Sequence, residues 1–134
     1  MNKIKILLLL ISFLLCTLFS FSQKIKDTNG HLLFRMKDNI VYSQKNNTRI
    51  AKIKDNTIWN VNSAKIGYYK DGIIYNYQSR KLYTFKDNIL YKSGTFVIKI
   101  KDNKIINSNG TIVAKCEDFP IVDLILLFAF TRCF

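Results

Sequence analysis

Five carboxylates recur in this chain with a rhythm that could hold a metal or line up a catalytic row. They are Asp38, Asp55, Asp71, Asp87 and Asp102, each preceded by Lys and followed by Asn or Gly, at steps of 17, 16, 16 and 15 residues. Calcium loops place several acids two residues apart within one loop. Here each Asp stands alone behind a cation, which is a poor ligand set. Zinc sites need clustered Cys and His, and the only histidine is His31, just after Asn29-Gly30. Without a nearby partner it reads as a solvated residue at a strand start and not as a base. Glu117 and Asp118 are the only adjacent acids. They precede an apolar stretch, where a helix macrodipole would account for them. There is no glycine-rich phosphate loop. With no convergent nucleophile, acid or base, the expectation is a non-enzymatic protein with no catalytic residue, no metal site and no cofactor.

The repeat makes better sense as a row of turns. Five residues before each Asp stands Leu33, Ile50, Ile66, Leu82 or Val97, and two before stands Met36, Ile53, Tyr69, Phe85 or Ile100. Three after stands Val41, Ile58, Ile74, Leu90 or Ile105, and four after stands Tyr42, Trp59, Tyr75, Tyr91 or Ile106. β-Branched and aromatic runs flanking a polar tripeptide are a hairpin signal. The tripeptide suits a three-residue loop, in which Asn or Gly takes the left-handed position of a bulge. That loop would pair Phe34 with Tyr42, Ala51 with Trp59, Gly67 with Tyr75, Tyr83 with Tyr91 and Ile98 with Ile106. A two-residue loop would instead pair Arg35 with Tyr42 and Lys52 with Trp59, a cation–π face. The bulged register is the expected one. Further turns at "NS" (62–63), "QSR" (78–80), "KSG" (92–94) and "SNG" (108–110) return the chain, which predicts ten to twelve short strands in a hairpin meander.

The segment "EDFPIVDLILLFAF" (117–130) has a proline suited to a first helical turn, followed by a stretch that only Asp123 interrupts. A helix apolar all round must be buried. About 14 residues at 1.5 Å each are too short to cross a bilayer. A helix over 120–132 is therefore expected to plug or cap the hairpins. The strands agree, because both their faces carry recurrent apolar positions, unlike a sheet with one wet face. The predicted class is all-β, antiparallel hairpin repeats in a radial or barrel-like array, with a short buried C-terminal helix.

The units from "IAKIKDNTIWNV" through "FVIKIKDNKIINS", with the tail "FPIVDLILLFAF", resemble the four-fold β-flower family of small exported proteins. The resemblance covers about 50–130 and implies an all-β radial fold. It carries no activity and no functional residue. A second likeness, of architecture alone, is to tubby-like and scramblase-like domains, where a β-barrel closes round an apolar C-terminal helix.

The chain of 134 residues has room for one domain. It opens with "MNKIK" and an apolar run, 6–21, with small residues ahead of a cleavage point after Ser22. This is the layout of a secretory signal peptide, 1–22, the alternative being an uncleaved anchor. The folded domain is then 23–134, exported to the cell surface, the periplasm or the envelope. Only Lys3 and Lys5 of the 21 basic residues leave with the signal, while all 9 acids stay. Such a balance attracts anionic surfaces, though evenly spread lysines are also an ordinary solvated surface. Export argues against nucleic acid and leaves anionic envelope lipid or glycan as possible partners. An oxidising compartment allows a Cys116–Cys133 disulfide. Trp59, Tyr68, Tyr75, Tyr77 and Tyr91 form the one candidate ligand-binding set, since aromatic rows beside lysines can bind sugars. Packing favours the core for such a row.

Overall fold

The computed structural model describes residues 2–8 and 23–132. The proposed cleavage point and Cys133 lie outside the described residues. Residues 3–8 are helical, and the first described strand begins at Gln23. Six strands form its first half: β1 (Gln23–Lys26), β2 (Leu32–Lys37), β3 (Ile40–Ser43), β4 (Thr48–Lys54), β5 (Thr57–Trp59) and β6 (Lys65–Lys70). Six more follow: β7 (Ile73–Asn76), β8 (Lys81–Lys86), β9 (Ile89–Lys92), β10 (Thr95–Lys101), β11 (Lys104–Asn107) and β12 (Ile112–Glu117). Every strand pairs antiparallel with its sequence neighbours, and β1 pairs with β12, so the sheet closes into a twelve-stranded barrel. One helix, Ile121–Thr131, follows the last strand.

The register is the two-residue one, which corrects the expected bulged loop. Lys37 pairs with Ile40, Lys54 with Thr57, Lys70 with Ile73, Lys86 with Ile89 and Lys101 with Lys104. Only Asp and Asn, or Asp71 and Gly72, lie between, and both residues of each turn have positive φ, from 50° to 80°. These are type I′ turns, whose twist matches that of the flanking strands. Asp and Asn are the non-glycine residues that best tolerate this conformation. The register keeps Ile53 opposite Ile58 and Phe85 opposite Leu90 inside, and Lys52 opposite Trp59 outside. The carbonyl of each second turn residue accepts an amide N–H from the next hairpin, as from Ile53 to Asn39 (2.8 Å) and from Phe85 to Gly72 (2.7 Å). The repeated Lys-Asp-Asn thus stitches one hairpin to the next.

The sixth hairpin is divided between the two ends of the folded chain. Lys26 opposes Lys115 and Ile25 opposes Cys116, as Lys52 opposes Trp59 and Ile53 opposes Ile58 elsewhere. Asp118, at φ 50°, takes the place of the repeated Asp, and Glu117 takes that of Lys. Glu117 and Asp118 therefore belong to a strand end and its turn and do not cap the helix. Glu117 meets Lys26 at 2.7 Å across the closure.

A bulge in each unit explains the apolar residues on both strand faces. The pairing skips Leu33, Ile50, Ile66, Leu82, Val97 and Val113. All six pack against the core together with the inward residue that follows each of them. The extra residue also bends the strand, which helps a short-stranded sheet to close.

The helix fills the lumen. Leu124, Ile125, Leu126, Leu127 and Phe128 are all buried. Five consecutive residues at 100° steps pass right round a helix, so no side of its middle is open to solvent. An eight-stranded barrel is filled by its own side chains. Twelve strands leave a wider space, and a helix with side chains is about 10–12 Å across. The helix lies against β4, β5 and β6, which contribute Ala51 and Gly67 to an inner ring completed by Phe34, Tyr83, Ile98 and Ala114. A Cβ on Gly67 would collide with the Phe130 ring and stand 2.6 Å from the Tyr75 carbonyl oxygen. At the far end Arg132 turns left-handed, with its backbone N–H bonded to the Phe128 carbonyl and its guanidinium donating to the Tyr83 hydroxyl at 2.9 Å.

Three predictions follow from this packing. Removing 121–134 should abolish cooperative thermal unfolding of the 23–134 chain. Burial of the five side chains is worth up to about 8–15 kcal/mol at 1.5–3 kcal/mol each, against a usual net stability of about 5–15 kcal/mol. Survival of a sharp transition near the parent temperature would refute the lumen role. Gly67→Ala should destabilise by about 1–3 kcal/mol in urea titration. Adding Phe130→Leu should recover only part of that loss, because the clash with the Tyr75 carbonyl remains, and full recovery would contradict the close approach. Asp123, in the first turn of the helix, has its pKa raised by burial to about 6. A raised folded-state pKa means that stability falls as pH rises from about 4 to about 6. Asp123→Asn should therefore raise the melting temperature by a few degrees at pH 7 and leave it unchanged at pH 4, and an equal gain at both values would exclude this linkage.

Candidate functional site

The five repeated Asp side chains are exposed and stand at separate turns around one rim, here called the Asp rim. Among the described residues no three His, Cys, Asp or Glu come together in a metal-holding group. His31 lies 3.3 Å from the Asp27 carboxylate on an exposed turn. Asp27 also accepts the backbone N–H groups of Asn29 and His31 at 2.9 Å. These bonds, that from the His31 backbone foremost, hold its carboxyl below the usual range. Asn60, Asn76 and Asn107 make the same pair of backbone bonds in their own turns. Asp27 is thus one of four like-built turns on the opposite rim. Cys116 is a free, buried thiol 3.3 Å from the Asn103 carbonyl oxygen. Burial pushes its pKa up, which keeps it protonated and unreactive.

The aromatic set faces outward, which corrects the expectation that it packs the core. The two-residue register puts Tyr42, Trp59, Tyr75 and Tyr91 on the same wall as the lysines. Around the barrel at this level Arg35, Tyr42 and Arg49 are cross-strand neighbours, then Lys52, Trp59 and Lys65, then Tyr68, Tyr75 and Lys81. Arg35 lies 4.4 Å over the Tyr42 ring, Lys52 5.4 Å over Trp59 and Lys65 4.6 Å over Tyr68. Tyr68 and Tyr75 stack at 5.1 Å, and the Tyr68 hydroxyl donates to Ser79 at 2.8 Å. Tyr91 lies beyond this belt, between Thr84 and Phe96, and Tyr77 stands free on a turn. The structure therefore brings Trp59, Tyr68 and Tyr75 together and leaves Tyr77 and Tyr91 to either side. Arg49, Lys65 and Lys81 are the members that sequence reasoning missed, because they meet the rings across the bulged strand pairs. The pairing of Arg35 with Tyr42 and of Lys52 with Trp59 was visible in the alternative register.

Charge is distributed unevenly. On the Asp rim each turn sets a Lys beside its Asp. On the opposite rim Lys45, Arg49, Lys65, Arg80, Lys81 and Lys92 face Asp27 as the one acid. Between Thr57 and Lys70, and between Ile73 and Lys86, the sequence holds no acid. The ring faces of Tyr42, Trp59 and Tyr68 already meet cations of the same chain, so a neutral sugar stacked there would displace them. What the belt offers a ligand is positive charge on a rigid wall.

A cavity of about 180 Å³ lined by Lys81, Leu82, Tyr83, Thr84, Ser93 and Gly94 opens beside the belt. It is smaller than the roughly 300–1,000 Å³ of most small-molecule sites. Among the described residues no helix is long and apolar enough to cross a membrane. The strands, at most seven residues long, are shorter than the roughly 9–11 residues of a spanning strand. No protein family, no curated protein and no solved structure matches this chain.

Proposed function

We propose that the chain is an exported, non-enzymatic interaction module of the β-flower kind, and that its working surface is the cation–aromatic belt over β2–β8. The observation that carries this reading is the run of Arg35, Lys52 and Lys65 over Tyr42, Trp59 and Tyr68 on an acid-free wall. The barrel supports it by holding these groups on paired strands, so that little conformational entropy is lost on binding. The partner class is an anionic component of the cell envelope, glycan or lipid, met after export by the segment 1–22.

Position must matter beyond total charge, and two variants with the same charge change separate the two. Arg35→Glu with Lys52→Glu reverses two cations of the belt, while Lys37→Glu with Lys54→Glu reverses two on the same strands beside the Asp rim. Binding of the 23–134 chain to dextran sulfate should weaken with salt, since exposed charges are screened beyond about 10 Å at 0.1 M. The belt variant should lose at least about tenfold in affinity and the rim variant much less. Equal losses would show that only net charge acts and would remove the belt as a site.

A further inference from the structure

Two neighbouring turns on the rim opposite the Asp residues carry large apolar side chains that the fold does not require. Val61 is 50% exposed and Tyr77 is 63% exposed. Each follows the capping Asn of its turn, Asn60 or Asn76. The two other turns built in the same way have Thr28 and Ser108 at this place. A small polar residue therefore suffices for the turn. Exposed apolar groups with no structural demand on them mark an interaction surface when they lie together.

They stand on adjacent turns. The two turns are consecutive around the rim, and the hydrogen bond from Tyr68 to Ser79 ties the wall of one hairpin to the turn of the next. Immediately below the tips stand the exposed cations Lys65, Arg80 and Lys81. Trp59 is the cross-strand neighbour of Lys65, and the strands around them hold no acid. Two protruding apolar tips above a shelf of cations form an amphipathic surface. Its complement is a layer with negative charge outside and hydrocarbon just beneath. Tyrosine and tryptophan favour that boundary, and cations beside it gain from the negative surface potential.

We infer that the barrel docks by this rim on an anionic phospholipid bilayer, with Val61 and Tyr77 entering the headgroup layer and Lys65, Arg80 and Lys81 meeting the phosphates. The inference rests on the belt reading and narrows it to one partner and one orientation. The helix ends beside the same rim, at the hydrogen bond from Arg132 to Tyr83, and the Asp rim would face away from the bilayer.

The test uses the 23–134 chain, which contains all twelve strands and the helix, and vesicles of equal phosphatidylglycerol and phosphatidylcholine at low salt. Trp59, the only tryptophan, reports from the shelf itself. The chain should co-sediment with these vesicles and not with pure phosphatidylcholine, and its emission should shift to the blue. Lys65→Glu with Lys81→Glu should lower partitioning at least about 20-fold, since each cation near an anionic surface is worth about a factor of five. Val61→Ser with Tyr77→Ser should weaken vesicle binding severalfold while leaving dextran sulfate binding and the melting temperature unchanged. Two results would overturn docking by the rim and leave the belt reading standing: no vesicle binding with dextran sulfate still held, or vesicle binding indifferent to both double variants. Loss of vesicle and dextran sulfate binding together in the unaltered chain would remove both readings.

Discussion

A closed sheet of twelve short strands encloses more space than its own side chains fill, and the rest of this structure depends on how that space is occupied. The chain fills it with its own last segment. Leu124 to Phe128 are buried on every side of the helix, and the wall adapts to it. Ala51 and Gly67 thin the wall where the helix lies, and a Cβ on Gly67 would collide with the Phe130 ring. Each bulge adds one more aliphatic side chain to the layer round the helix. Neither part is stable by itself: a lone helix of this length is marginal in water, and an unfilled lumen would hold water against aliphatic walls. Their cooperation explains how strands of three to seven residues make a domain.

The filled barrel is also what fixes the outer wall. Period-two alternation means that a strand whose inward residues are held against the helix has no freedom to slip, because a shift of one residue would turn every lysine inward. The cations and rings of the belt are thus held in place by contacts on the other side of the sheet. The type I′ turns and the closure of β1 on β12 complete the circle, so the sheet has no edge at which another strand could add. The result is a rigid wall with one acid-free side.

Much of this was legible in the sequence. The turns, the number of strands and the buried helix followed from the recurrence of Lys-Asp-Asn and from the apolar tail, because each reflects a local rule that tertiary context did not override. The register was not legible. Asn at positive φ suits both a bulged loop and a type I′ turn, and the choice turned on whether Asp also goes left-handed, which no spacing reveals. That one step reversed the reading of the aromatics. Trp59 and Tyr75 looked like core partners of Ala51 and Gly67 and are wall partners of Lys52 and Tyr68. The sixth hairpin was hidden because its halves lie about 90 residues apart and Glu117 stands where Lys stands in the others. The apolar residues on both strand faces were read as evidence for a buried sheet. Half of that signal comes from the bulges, which send two consecutive side chains inward.

Amide hydrogen exchange across the helix examines the filled lumen most directly. If the helix is enclosed, its backbone cannot open without opening the barrel. The amides of Leu124 to Phe128 should then exchange only through global unfolding, as slowly as the central amides of Ile53, Ile58 and Phe85. Exchange of the helix several orders of magnitude faster than that of the strands would contradict the account, because it would mean that the barrel stands without its helix.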